Sequence, residues 1–261
     1  MPRRRRAPPT RFPDAIALSY YRQVAKLIQQ MHSVTYGAFQ KMIVPEAKRY
    51  RTESAREDDA LDIILAILEF AKSRSRSFVF TASNMLRISQ QFVSRVSDFN
   101  RRNIDDQVEA VKGIDPTINE PWLDSFVRSS VAENVTLIQS IEQDYHKRVE
   151  SIVLQGVKNG ESLKDMAADL KKTADISYNR AKFIARDQTG SIMGQLTEKR
   201  HLAAGVERFK WSTSGDERVR PEHRAFDGKV YTYAEGAGGR HLIPGRDYNC
   251  RCVAYPVFDD E

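Results

Sequence analysis

The chain has 261 residues, 41% of them hydrophobic and 29% charged, and no apolar run approaches the ~20 residues that cross a bilayer. That composition is of the soluble globular kind, and no membrane-spanning helix is expected. The formal net charge is +6, but Arg3, Arg4, Arg5, Arg6 and Arg11 supply five of those charges within thirteen residues that hold no acid. The remainder is nearly neutral, so its overall charge gives no basic face for nucleic acid.

Residues 1–13 read as a disordered basic arm, because proline and like charges oppose compact structure. Such an arm is either a solubilising tail or a tether to a polyanion, with the five arginines as the DNA contacts. No apolar stretch follows it, so a secretory signal is not expected and the protein is expected in a cytoplasm.

A helical domain is expected over residues 14–155. Ile16, Tyr20, Val24, Leu27, Ile28, Met31 and Val34 recur at three- and four-residue steps, and Pro45 should end or kink that helix. Ser54 to Glu57 has the form of a capping box, followed by a stripe of Ile63, Ile64, Ile67, Phe70 and Ala71. A helix from about Ser83 to Val111 buries Ile88, Phe92, Val96 and Phe99. Gly113, Pro116 and Pro121 break the chain after it. From near Leu123 to Leu154, Val127, Val131, Val135, Ile138, Ile141, Tyr145, Val149 and Ile152 keep nearly a heptad spacing, the mark of helix–helix packing.

Residues 156–261 read as a second domain. Ser162 caps a short helix carrying Leu163, Met166 and Leu170, and a further helix spans about Ser177 to Ala203 with an inner stripe of Ala181, Ile184, Ala185, Ile192 and Leu196, giving helices over 162–203. After Gly205 the texture changes. Val206, Phe209 and Trp211 alternate with polar residues, and Lys229–Tyr233 and Val253–Phe258 suggest two more short strands, so a small β unit is expected over 206–258. The expected fold class is therefore mainly α with a small, loop-rich C-terminal α+β unit.

The most informative stretch is Phe209 to Cys252. Trp211 stands on a strand before Asp216, and Arg218 and Arg220 lead to His223. Asp227-Gly228 forms a turn, and Cys250-Arg251-Cys252 closes the segment. Upstream lies the run Arg180-Ala181-Lys182-Phe183-Ile184-Ala185-Arg186-Asp187-Gln188-Thr189. Together these resemble the Mu protein F-like minor head proteins of bacteriophages, over roughly residues 150–256. The resemblance implies a virion protein of the phage head, assembled in the host cytoplasm and acting in head morphogenesis. Its implied partners are the portal protein or the major capsid protein, with packaged DNA reached through the arm, and it implies no membrane.

Beside that resemblance, the residues allow specific chemistry. A disulfide between Cys250 and Cys252 would close a strained ring and is not expected. Two thiolates and an imidazole supply three tetrahedral ligands, so His223, Cys250 and Cys252 are candidates for zinc, with Asp216 or His241 as the fourth. Alternatively His223 bonds a carbonyl or Asp216 and both cysteines pack as small apolar groups. Arg218 and Arg220, read as strand residues, would face one way and bridge to Asp216, Glu222 or Asp227, or meet phosphate; Trp211 reads as core. A nucleic-acid-binding protein of the head interior, using the basic arm, and a zinc-dependent nuclease are the competing functions. No paired-histidine zinc motif or phosphate loop occurs, and an enzyme is not expected.

Overall fold

The computed structural model describes residues 7–52, 57–113, 115, 117 and 119–258. Helix accounts for 71% of it, beside one three-stranded antiparallel sheet near the C-terminus, so the class is mainly α with a small C-terminal α+β part. Among the described residues no helix is long and apolar enough to cross a membrane.

Helix α1 runs over Asp14–Ala38 and passes through a π turn, Phe39–Ile43, into α2, Val44–Thr52. The expected break at Pro45 is thereby absorbed. The Val44 amide donates to the Phe39 carbonyl, five residues back. The widened turn relieves the clash that a proline ring makes with the preceding helical turn, and Pro45 needs no partner for an N–H it lacks. Helix α3 spans Glu57–Phe78. The proposed cap at Ser54 lies outside the described residues. On α3 the buried stripe is Ala60, Ile64, Ile67, Leu68 and Ala71, whereas Ile63 and Phe70, expected inside, are exposed. Ile63 and Phe70 each sit one position off this three- and four-residue rhythm, which turns them about 100° away. Helices α4 (Ala82–Lys112) and α5 (Leu123–Lys158) match the expected stretches. Phe99 is only half-buried; Asn100, one position on, is fully buried.

Helix α6 corrects the expectation of two helices. It runs unbroken over Leu163–Ala203, 41 residues. Ser162 caps it, its Oγ accepting the Asp165 amide at 3.0 Å and donating to the Asp165 carboxylate at 2.6 Å. Ser177, read as a second start, is a mid-helix residue whose hydroxyl donates back to the Thr173 carbonyl at 3.1 Å.

Strand β1 (Arg208–Ser212) is the centre of the sheet, short helix α7 (Pro221–Phe226) follows, and β2 (Val230–Thr232) and β3 (Val253–Val257) flank β1 in the order β2-β1-β3. Phe209 stands opposite Tyr231 on one side and Pro256 on the other. Pro256 is tolerated because β3 is an edge strand. Phe209 and Trp211 point inward and are fully buried, with Lys210 between them exposed.

The chain forms two compact units, each discontinuous in sequence. One comprises Tyr21–Ser89 and Glu133–Lys182. Its core holds Ile28, Met31, Ile64, Ile138, Tyr145 and Leu170, and the Tyr145 hydroxyl meets His32 Nδ1 at 2.9 Å. The other comprises Met1–Tyr20, Gln90–Ala132 and Phe183–Glu261 and contains the sheet. Residues 7–13, expected to be disordered, are non-helical and hydrogen-bonded there. Gln107 Nε2 donates to the Pro8 carbonyl and to Thr10 Oγ1, both at 2.9 Å. Thr10 donates to the Ala254 carbonyl at 2.8 Å, and the Tyr255 hydroxyl donates to the Ala7 carbonyl. Proline stiffness that opposes helix suits a non-helical strap. Arg11 is exposed on it; Arg3 to Arg6 lie outside the described residues.

Candidate metal centre

Three chain segments converge beneath the sheet. Trp211 from β1 and Phe226 from α7 pack edge-on, with ring centres 5.1 Å apart, and Trp211 meets the His223 ring at 5.2 Å. His223 is thereby held on the inner side of α7, 2% exposed. The Asp227-Gly228 turn ends α7: Gly228 takes a positive φ of 74° and donates to the Trp211 carbonyl, while Asp227 Oδ1 accepts the Thr213 amide at 2.8 Å. This turn fixes the angle between α7 and β1, and hence where His223 points.

The third segment is the loop of residues 243–252, clamped along one face of α6. Asp187 accepts the Asn249 amide at 2.5 Å, and Glu198 pairs with Arg246 at 2.7 Å. Between these, Gly190 and Gly194 let the loop backbone touch the helix. A Cβ at Gly190 would sit 2.2 Å from the Cys250 carbonyl oxygen, and one at Gly194 2.3 Å from that of Pro244. Positions 187, 190, 194 and 198 recur at helical steps, so one face carries the whole clamp. Asn249, with φ of 56°, then turns the chain so that Cys250 and Cys252 both enter the interior.

His223, Cys250 and Cys252 are all buried, and their ligand atoms lie within 4.8 Å of one another. Each sulfur is 3.6 Å from the same nitrogen, His223 Nδ1. The other ring nitrogen, Nε2, is 2.9 Å from Asp247 Oδ2. The Cys252 amide donates to Cys250 Sγ at 3.4 Å. No disulfide joins the two cysteines. The Cys250 thiol is held below its usual range, first by its hydrogen bond with Cys252 and then by that with His223. Cys252 is pushed the opposite way by Cys250 and by burial. The imidazole is raised first by Cys250, with Asp247 adding to it against burial.

The fourth ligands considered from sequence stand elsewhere. Asp216 pairs with Arg251 through Oδ2 and accepts the Arg218 amide at 3.1 Å through Oδ1; its carboxyl lies below the usual range, chiefly through Arg251. His241 is exposed and outside the cluster. Arg218 and Arg220 do not lie on a strand: they belong to the loop before α7, where Pro221 sets the helix start. Arg220 donates to the Tyr248 carbonyl at 2.6 Å, and Arg218 meets Glu217 at 3.7 Å. Both, with Arg186 and Arg251, line a cavity of about 120 Å³ into which His223, Cys250 and Cys252 also open. Sequence reasoning met Asp187 only within the family-like run of residues 180–189 and did not single out Gly190, Gly194 or Asp247. The two glycines inside an otherwise regular helix were the available signal, since each costs about 1 kcal/mol against alanine without a packing reason.

A family model described as Phage Mu protein F like protein matches residues 147–255, the span that contains α6, the sheet and the cysteine loop. Over residues 147–255 the chain is thus similar to the Mu protein F-like family. A protein of Haemophilus influenzae named only as uncharacterized is 32% identical over 265 residues, covering 99% of this chain and 57% of that one. An uncharacterized protein of Methanocaldococcus jannaschii is 31% identical over 121 residues, 46% of this chain and 19% of that protein. A protein of Enterococcus faecalis named an NAD(+)–arginine ADP-ribosyltransferase is 24% identical over 160 residues, 55% of this chain and 33% of its own. The chain thus spans little more than half, or less, of the length of these relatives. No solved structure matches.

Proposed function

We propose that this chain is a phage head morphogenesis protein, a minor component of the head that associates with the portal protein or the major capsid protein. The observation that carries the reading is the Mu protein F-like match over residues 147–255, which falls on the clamped cysteine loop and its supporting helix. In this reading Arg3 to Arg6 and Arg11 contact packaged DNA, and the body of the protein is the assembly element. The relative named as an ADP-ribosyltransferase shares only a third of its length with this chain, so that name gives no ground for assigning its activity here. Mass spectrometry of purified procapsids and virions tests the reading. The protein is expected in both, in far fewer copies than the major capsid protein; its absence from both overturns the assignment.

A further inference from the structure

We infer that His223, Cys250 and Cys252 bind one zinc ion whose fourth coordination place faces the arginine-lined cavity and takes an exchangeable anion. This inference is independent of the head-assembly reading and rests on the geometry of the three side chains.

Zinc bound tetrahedrally at ~2.3 Å from sulfur and ~2.05 Å from nitrogen holds those two ligand atoms about 3.6 Å apart. Both sulfurs lie at 3.6 Å from His223 Nδ1. A single nitrogen has one lone pair or one proton, so a hydrogen bond from it serves one thiol and leaves the other to bond its fellow cysteine. A tetrahedral ion serves both at the same distance. The second ring nitrogen supports this choice. With Nε2–H donating to Asp247 at 2.9 Å, the Nδ1 lone pair faces the sulfurs, and the carboxylate fixes ring orientation and basicity as it does behind zinc-bound histidines. The backbone contributes as well: the Cys252 amide, donating to Cys250 Sγ, compensates negative charge on a buried sulfur.

Among the described residues no fourth histidine, cysteine or carboxylate joins the group. The three ligands share a cavity with Arg186, Arg218, Arg220 and Arg251. A zinc with three protein ligands retains one open place, and a cavity lined by four arginines, of which Arg251 pairs with Asp216 and Arg218 with Glu217, favours an anion there.

The full chain, purified without chelator, is expected to contain close to one zinc, and the metal-free protein to bind zinc one to one in competition with a chromophoric chelator. Failure to bind under both conditions overturns the site. In the cobalt-substituted protein, tetrahedral visible bands and a near-ultraviolet sulfur-to-cobalt band scaled to two thiolates are expected. Cys250→Ser and Cys252→Ser should each halve the latter. Should those variants not fold, Asp247→Asn, which leaves all three ligands in place, is expected to lower zinc affinity about 10- to 100-fold; unchanged affinity contradicts the assigned orientation of His223. Added inorganic phosphate should shift the visible cobalt bands. Bands that stay fixed at saturating phosphate overturn the open fourth place.

Discussion

Arg200 is completely buried, and every nitrogen of its guanidinium has a partner. Nε and Nη2 grip Glu120 at 2.7 and 3.0 Å, and Nη1 donates to the Ser97 carbonyl and to Asn100 Oδ1 at 2.9 and 2.8 Å. Asn100 in turn donates to Thr197 at 2.7 Å. Removing one member leaves the others buried and uncompensated, so Arg200→Ala is expected to cost about 3–5 kcal/mol in urea unfolding. A loss under 1 kcal/mol would show that the network contributes little. His201, the next residue, has a different role. Burial drives its pKa down to about 3, and its Nδ1 meets the Tyr233 hydroxyl at 2.6 Å. Burial likewise takes His146 down to about 4. In the unfolded chain both histidines protonate near pH 6.5, so below that pH the unfolded state binds protons that the folded state refuses. Stability therefore falls as pH drops from about 6.5, toward about 3 for His201 and toward about 4 for His146, by up to ~1.4 kcal/mol per pH unit for each group within its window. Denaturant titrations at several pH values should show this slope, and His201→Gln should flatten it; an unchanged slope would put the acid sensitivity elsewhere.

At the scale of the element, α6 shows how a helix positions a loop. Alanine normally favours a helix over glycine by about 1 kcal/mol. At Gly190 the added Cβ would meet the Cys250 carbonyl at 2.2 Å, and either the loop or the helix must move. Gly190→Ala is therefore expected to destabilise by about 1–3 kcal/mol despite its helical gain, and to disturb Cys250 directly. Gly37, in α1, is the internal control. Nothing lies within 4 Å of a Cβ there, so Gly37→Ala should stabilise by about 0.5–1 kcal/mol. Thermal unfolding of the two variants side by side separates the effects, and a stabilising Gly190→Ala would refute the close approach. The residues at this scale were only partly legible. Periodicity identified Ile184, Ala185, Ile192 and Leu196 on α6, because apolar burial repeats at 3.6 residues. The clamp of Asp187, Gly190, Gly194 and Glu198 lies on another face and uses backbone contact and charge, which leave no hydrophobic rhythm.

At the scale of the whole molecule, the N-terminal strap changes what a truncation tests. Residues 7–10 are hydrogen-bonded to α4 and to β3, so their removal would strip partners from Gln107 and the Ala254 carbonyl. Deleting residues 1–6 alone removes Arg3 to Arg6 and spares those bonds. If the four arginines contact phosphates on duplex DNA, the deletion should make the slope of log affinity against log salt shallower by roughly 3.6. Fluorescence anisotropy with a random duplex at several salt concentrations measures it, and an unaltered slope removes the arm from DNA contact.

By itself the sequence determined the helical class, the extents of α4 and α5, the three strands, and the grouping of His223, Cys250 and Cys252 as a candidate ligand set. Each was legible because its signal is local or chemical. Side-chain periodicity, turn residues and thiol chemistry do not depend on what the rest of the chain does. Tertiary structure alone decided that α6 is one helix, that Pro45 follows a π turn, that Asp247 rather than Asp216 stands behind His223, and that Arg200 finds Glu120 eighty residues away. Those choices depend on which surfaces meet, and the two compact units are assembled from segments far apart in the chain. Where a buried polar group finds its partner is set by that assembly, because desolvation makes an unpaired group costly wherever the chain brings it.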